Sequence, residues 1–167
     1  MSTEATAAPL RSARGGKYLT FALGHEEYGL EILKVREIIG SMEITAVPRT
    51  PRHVKGVINL RGQVISVIDL RSRFAMEPAE QTDETCIIVV ETSVDGRTHN
   101  TGIIVDRVKE VLDISQEQIE DAPSFGDSVS SNFILGMGKV GESVKILLDI
   151  DRVLDGPDAL TPTAEAA

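Results

Sequence analysis

Short apolar runs broken by glycine-bearing turns recur along this chain, and their spacing predicts strands. Tyr18-Leu19-Thr20-Phe21-Ala22-Leu23 alternates bulky apolar residues with smaller or polar ones. Gly24-His25-Glu26-Glu27 follows as a turn before Tyr28-Gly29-Leu30-Glu31, which reads as a hairpin. Val54 to Leu60 and Gln63 to Ile68 are β-branched runs separated by Arg61-Gly62, where the glycine can take the positive φ of a tight reversal. Thr85 to Glu91 and Arg97 to Val105 flank Val94-Asp95-Gly96, whose Asp-Gly pair is a strong hairpin signal. Val108, Val111 and Leu112 recur at i, i+3 and i+4, a spacing shared by helices and twisted strands, so the pattern leaves that segment open.

The sequence also repeats itself. A shift of 73 positions lays Gly29 through Ile39 over Gly102 through Leu112 without a gap, and the apolar, basic and acidic positions fall into register. A shift of 80 lays Gly56, Val64, Val67, Ile68, Asp69 and Leu70 over Gly136, Val144, Leu147, Leu148, Asp149 and Ile150. Two copies of a strand-rich unit are too few for a solenoid, which needs three or more repeats. They predict a pair of small barrels, halves near 17–80 and 85–155, each closing its own strand edges and sharing a hydrophobic seam because neither core is large enough alone. Residues 1–16 and 156–167 are small and polar, and read as tails around a folded span of 17–155.

Composition narrows the function classes. Seventeen basic residues against 26 acidic ones give a net charge of −9, which repels a phosphate backbone. The run Ile87-Ile88-Val89-Val90 is far too short to span a bilayer, and the amino-terminal segment has neither a basic start nor an apolar stretch. The single cysteine, Cys86, cannot close an internal disulfide or make a zinc site alone, which fits a reducing cytoplasm.

Candidate chemistry is sparse. Gly136-Met137-Gly138-Lys139-Val140-Gly141 spells the glycine pattern of dinucleotide sites, but that mechanism needs a helix N-terminus after it, and Ser143 to Leu148 reads as a strand. A small nucleotide-binding protein or enzyme built on that stretch is the remote alternative. Asp69 and Asp149 sit at equivalent positions before the short helical segments Leu70–Phe74 and Ile150–Leu154, and read as N-caps rather than as an acid and base pair. His25, His53 and His99 are isolated and read as solvated loop residues, and Cys86 as a small buried apolar residue. Arg61 differs from these. It projects an always-charged fork from a hairpin tip whose counterpart in the second half is Gly141, so the duplicated scaffold keeps its framework while the tip chemistry differs.

The run Gly56-Val57-Ile58-Asn59-Leu60-Arg61-Gly62-Gln63-Val64-Ile65-Ser66-Val67-Ile68-Asp69-Leu70-Arg71, with Glu27 through Ile38 upstream, closely resembles the chemotaxis coupling protein family, CheW. The likeness extends through Gly102 to Leu112 and on to Leu154. It implies a mainly all-β fold of two intertwined five-stranded SH3-like β-barrels with short helices. It also implies a non-enzymatic adaptor, without cofactor or metal, that links the cytoplasmic tips of methyl-accepting chemoreceptors to the regulatory domain of the chemotaxis histidine kinase. The expected location is the cytoplasm at receptor arrays, with the membrane reached only through the receptors and no nucleic acid bound. Carried over by position, Arg61, Gly62, Asn59, Gly56, Val35 and Glu37 match family positions tied to receptor and kinase coupling. Val108 and Val111 match the receptor-facing surface, and Ile32 joins Val35 and Val108 in lining an apolar groove for a receptor helix. Ser66 departs from the proline the family often carries. The same scaffold serving a chemosensory pathway other than swimming, such as surface motility or second-messenger control, is the alternative. A fused receiver domain would need more chain than follows Leu154.

Overall fold

The computed structural model describes residues 15–94, 96–121 and 133–154, with the backbone alone at Val94. Residues 1–14 of the expected amino-terminal tail, the whole carboxy-terminal tail and the Asp95 position of the third hairpin therefore lie outside the described residues, whereas Gly16, expected in the tail, opens the first strand. The described residues form eleven strands, in chain order β1 (Gly16–Leu23), β2 (Glu26–Glu31), β3 (Val35–Gly40), β4 (Val54–Leu60), β5 (Gln63–Asp69), β6 (Cys86–Val94), β7 (Arg97–Val105), β8 (Arg107–Ile114), β9 (Ile119–Glu120), β10 (Ile134–Val140) and β11 (Ser143–Leu148). Two short helices, α1 (Leu70–Arg73) and α2 (Ile150–Leu154), follow β5 and β11. The ambiguous Val108 to Leu112 segment is strand.

The strands form two sheets, ordered β8-β1-β2-β11-β10-β9 and β3-β6-β7-β5-β4. The first carries a sixth strand beyond the five expected, the two-residue β9, which pairs with β10 through Met137 and Glu120. Its counterpart in the second sheet is a single bridge between Thr45 and Val57, the residue 80 positions before Met137. The neighbours are antiparallel except β2–β11 and β5–β7, which run parallel. Each sheet thus places a hairpin of one sequence copy between strands of the other, met by a parallel contact on one side and an antiparallel one, β1–β8 or β3–β6, on the other.

The duplication is visible down to single bonds. The N–H of Asp69 donates to the carbonyl of His53 at 2.8 Å, and that of Asp149 to the carbonyl of Phe133 at 2.8 Å, both pairs being 80 residues apart in sequence. Asp69 accepts from the Arg71 N–H at 3.1 Å, and Asp149 from the Arg152 N–H at 3.3 Å, so both carboxylates cap their helices. One ion pair fastens each helix to the strand corner of the other copy, with opposite polarity: Arg71 to Asp106 at 2.7 Å and Asp151 to Lys34 at 2.8 Å. The Arg71 guanidinium holds the Asp106 carboxyl below its ordinary range, against the opposing effect of burial.

A shared core of aliphatic residues from both copies, including Leu19, Leu23, Leu30, Ile68, Ile88, Ile103, Leu148 and Ile150, lies along the seam. Phe21, Tyr28, Phe74 and Phe133 stack in sequence across it with centroids 5.8 to 5.9 Å apart. Each sheet adds a smaller cluster, around Ile58 and Val67 in one and around Ile114 and Leu147 in the other. His53 corrects the expectation of a solvated histidine. It is 6% exposed, held where the Asp69 bond draws its backbone against β5.

Candidate functional site

The β4–β5 turn gathers four of the residues singled out in the sequence. Gly62 donates its N–H to the Asn59 side-chain oxygen at 2.8 Å, which closes the turn. Arg61 and Gly62 take φ of 51° and 88°, the doubly positive pattern of a type I′ hairpin turn. Gly141 holds the Arg61 position in the sister turn at φ 63°, so an arginine sits where glycine meets the same backbone demand without a side chain. Arg61 thus carries a backbone strain that its glycine counterpart avoids.

From that tip the Arg61 guanidinium reaches the Glu37 carboxylate on β3. β3 and the β4–β5 hairpin stand at opposite edges of their sheet, so this ion pair spans the mouth between the edges. The contact holds the Glu37 carboxyl below its ordinary range and raises the guanidinium further. Arg61 remains 69% exposed along its side chain, so the pair orients the fork while leaving it open to another protein.

The remaining candidates divide by position. Gly56 is buried, and a Cβ there would lie 2.0 Å from the Thr45 carbonyl oxygen, so it serves the close crossing of the 44–46 segment over β4 behind the tip. Ile32, Val35 and Val108 are half-buried and pack against the shared core, with Val35 and Val108 at equivalent positions under the shift of 73. Val111 is 47% exposed on β8, the edge strand of the other sheet. The structure thus brings Arg61, Gly62, Asn59 and Glu37 together and leaves the aliphatic set on the seam and on β8.

Sequence reasoning passed over several exposed apolar side chains, Leu33 at 89%, Val64 at 67%, Val144 at 50% and Ile38 at 45%. A signal for three of them lies in the repeat. Val64 and Val144 coincide under the shift of 80, and Ile38 coincides with Val111 under the shift of 73, so like surfaces recur on both copies. Leu33 has no such marker, its counterpart being Asp106.

The geometry offers no reaction chemistry at these positions. Gly136 to Val140 lies in β10, and the chain turns at Gly141 into β11, so a strand stands on both sides and the helix N-terminus that would hold a pyrophosphate is not there. A cleft of about 420 Å³ beside β5 contains Lys55, Asp69 and Arg71, but Asp69 caps α1 and Arg71 is bound to Asp106. Among the described residues, no three of His, Cys, Asp and Glu are grouped to hold a metal ion. Cys86 is half-buried, and burial pushes its thiol up rather than toward a reactive thiolate. No described helix is long and apolar enough to cross a membrane.

The model of the CheW-like domain matches residues 17–158. The chain belongs to the CheW-like family. Relatives agree with the assignment. Chemotaxis protein CheW of Klebsiella aerogenes is 40% identical over 144 residues, covering 86% of this chain and 84% of that one. The Treponema pallidum protein of the same name is 33% identical over 142 residues, covering 84% and 82%. Among solved structures, the scaffolding protein TtCheW of Thermoanaerobacter tengcongensis superimposes with a TM-score of 0.77 at 32% identity, over 88% of this chain and 99% of that one. The mainly β fold and the CheW-like assignment read from the sequence both hold, and the chain is a chemotaxis scaffold of that family.

Proposed function

We propose that this protein is a non-enzymatic adaptor that couples methyl-accepting chemoreceptors to the chemotaxis histidine kinase, in the cytoplasm at receptor arrays. The carrying observation is Arg61, held in a left-handed turn by Asn59, aimed by Glu37 and exposed to solvent, at a position where the sister copy has only glycine. A charged fork kept at a backbone cost and left uncovered is suited to meeting another protein. Val64 supplies exposed apolar area at the same tip and Val111 supplies it on β8 of the other sheet, while Ile32, Val35 and Val108 are half-buried aliphatic residues packed on the shared core. Two separate surfaces let the adaptor be occupied by both partners together. The receptor tip is the partner for the aliphatic surface, where a helix can lay its apolar face. The kinase regulatory domain is the partner for the tip. Each contact can be modest, near the lower end of standard interfaces at about 1,200 Å², because an ordered array raises effective concentration.

Co-sedimentation with receptor cytoplasmic fragments and with the kinase, each alone and then together, tests the proposal. Co-sedimentation with each alone and with both at once is expected. Binding of the two that proves mutually exclusive would remove the coupling role.

A further inference from the structure

Under the two sequence shifts, Glu110 on β8 takes the place of Glu37 on β3, and Gly141 takes the place of Arg61. The backbone agrees. β3 and β8 each carry a bulge just ahead of the acid, where Arg36 and Lys109 are passed over in the pairing between Val35 and Glu37 and between Val108 and Glu110. Beneath the first corner Ile39 and Leu60 pack on one small cluster, and Leu112 and Val140, their counterparts, pack on the other.

The second corner is therefore built like the first but lacks its cation. Glu37 is half-buried under the Arg61 guanidinium, whereas Glu110 is exposed, and its carboxylate makes no ion pair among the described residues. The nearest cations in sequence are committed elsewhere, Lys109 to Glu27 at 3.3 Å and Lys139 to Glu120 at 2.6 Å. A Cβ built on Gly141 would meet no heavy atom within 4 Å, so a side chain can leave that position without a clash.

We propose that this corner binds an arginine supplied by a partner protein, with the guanidinium on Glu110 and the methylenes over Leu112 and Val140. The internal template fixes the chemistry. In the first copy a carboxylate on the bulged edge strand takes a guanidinium over an aliphatic floor, and the second copy presents the same carboxylate and floor uncapped. A planar fork suits a carboxylate at such a mouth better than a compact ammonium, and its weaker hydration lets it rest on aliphatic groups. The site rests on the docking reading above and gives it a second point of charge recognition.

Two variants test this. Glu110→Gln removes the charge with little change in shape, and Gly141→Arg supplies the guanidinium from the chain itself. Binding of the receptor fragment and of the kinase regulatory domain is measured for each variant across a range of NaCl concentrations, with thermal unfolding as the control for folding. Glu110→Gln should weaken one of the two partners by about tenfold and flatten its salt dependence. Gly141→Arg should weaken the same partner, and its crystal structure should show the introduced guanidinium on the Glu110 carboxylate. Unchanged affinity for both partners in both variants, or a guanidinium directed into solvent in the Gly141→Arg crystal, would overturn the proposal. Self-association of the wild-type chain that Glu110→Gln abolishes would assign the arginine to a second copy and likewise overturn it. Arg61→Glu separates the two levels. If it too binds both partners normally, the docking reading itself fails. If it loses binding while the Glu110 and Gly141 variants do not, only the second corner is wrong.

Discussion

The two hairpin turns, Arg61-Gly62 after β4 and Gly141-Glu142 after β10, occupy the same place on two copies of one scaffold, yet only the first carries a guanidinium. Arg61 and Gly141 share a left-handed φ, at 51° and 63°, whereas the second turn position is left-handed only at Gly62, at 88°. Around the first turn are Asn59, which bonds the turn, and Glu37, which takes the cation; around the second are Lys139, drawn away to Glu120, and Glu110, left without a cation. Framework and chemistry have separated after duplication. The copies share bulges, caps and buried clusters, and they differ in the charge carried at the two turns.

The largest expected effect falls on the framework. Gly56→Ala should destabilise the protein by about 3 kcal/mol, because its Cβ would lie 2.0 Å from the Thr45 carbonyl oxygen, against backbone that cannot yield cheaply. Gly141→Ala, at a left-handed φ of 63° against 146° at Gly56 but in open space, should cost about 1 kcal/mol. Urea unfolding of the two variants compares them, and equal losses would show that crowding behind the first tip is unimportant.

Next come the seam ion pairs. Asp106→Asn should cost about 2 kcal/mol, since the Arg71 guanidinium, only 16% exposed, loses its charged partner. The same contact sets the acid limb of stability. Arg71 lowers the Asp106 carboxyl in the folded state, so its contribution is fully present above the unfolded carboxylate value of about 4 and is lost as pH falls through the lower folded one. Glu27, lowered chiefly by its bond to Lys145, acts in the same direction. Denaturation between pH 2 and 6 should therefore show a shallower acid limb for Asp106→Asn than for the wild type.

The smallest effects separate the two turns themselves. Asn59→Ala removes the bond that closes the first turn and should cost about 1 kcal/mol. Lys139→Ala, at the matching position, loses only an exposed ion pair and should change stability by less than about 0.5 kcal/mol. A Lys139 loss as large as that of Asn59 would mean that the second turn is also held in place by its side chains.

Much of the fold was legible in the sequence because period-two alternation and turn residues are local signals. The bounds of β4 and the start of β5 coincide with the expected runs, and the Asp69 and Asp149 caps follow from residue type and position. β8 resisted because its bulge at Lys109 slips the alternation by one residue, so that Val108 and Val111, opposite Phe21 and Leu19, share a face at a three-residue spacing a helix also produces. Arg71 with Asp106 and Lys145 with Glu27 were invisible, since ion pairs between distant strands depend on which sheet each hairpin joins. The site was legible as residues, through Arg61 and its absent twin. The union of Arg61, Asn59 and Glu37 became visible only when the sheet brought its two edges together.

Kinase activity in arrays reconstituted from receptor fragments, kinase and either wild-type protein or Arg61→Glu tests the central claim most directly. The variant should unfold at the wild-type midpoint yet give no receptor-dependent activation. Activation at the wild-type level by a folded Arg61→Glu protein would contradict the account.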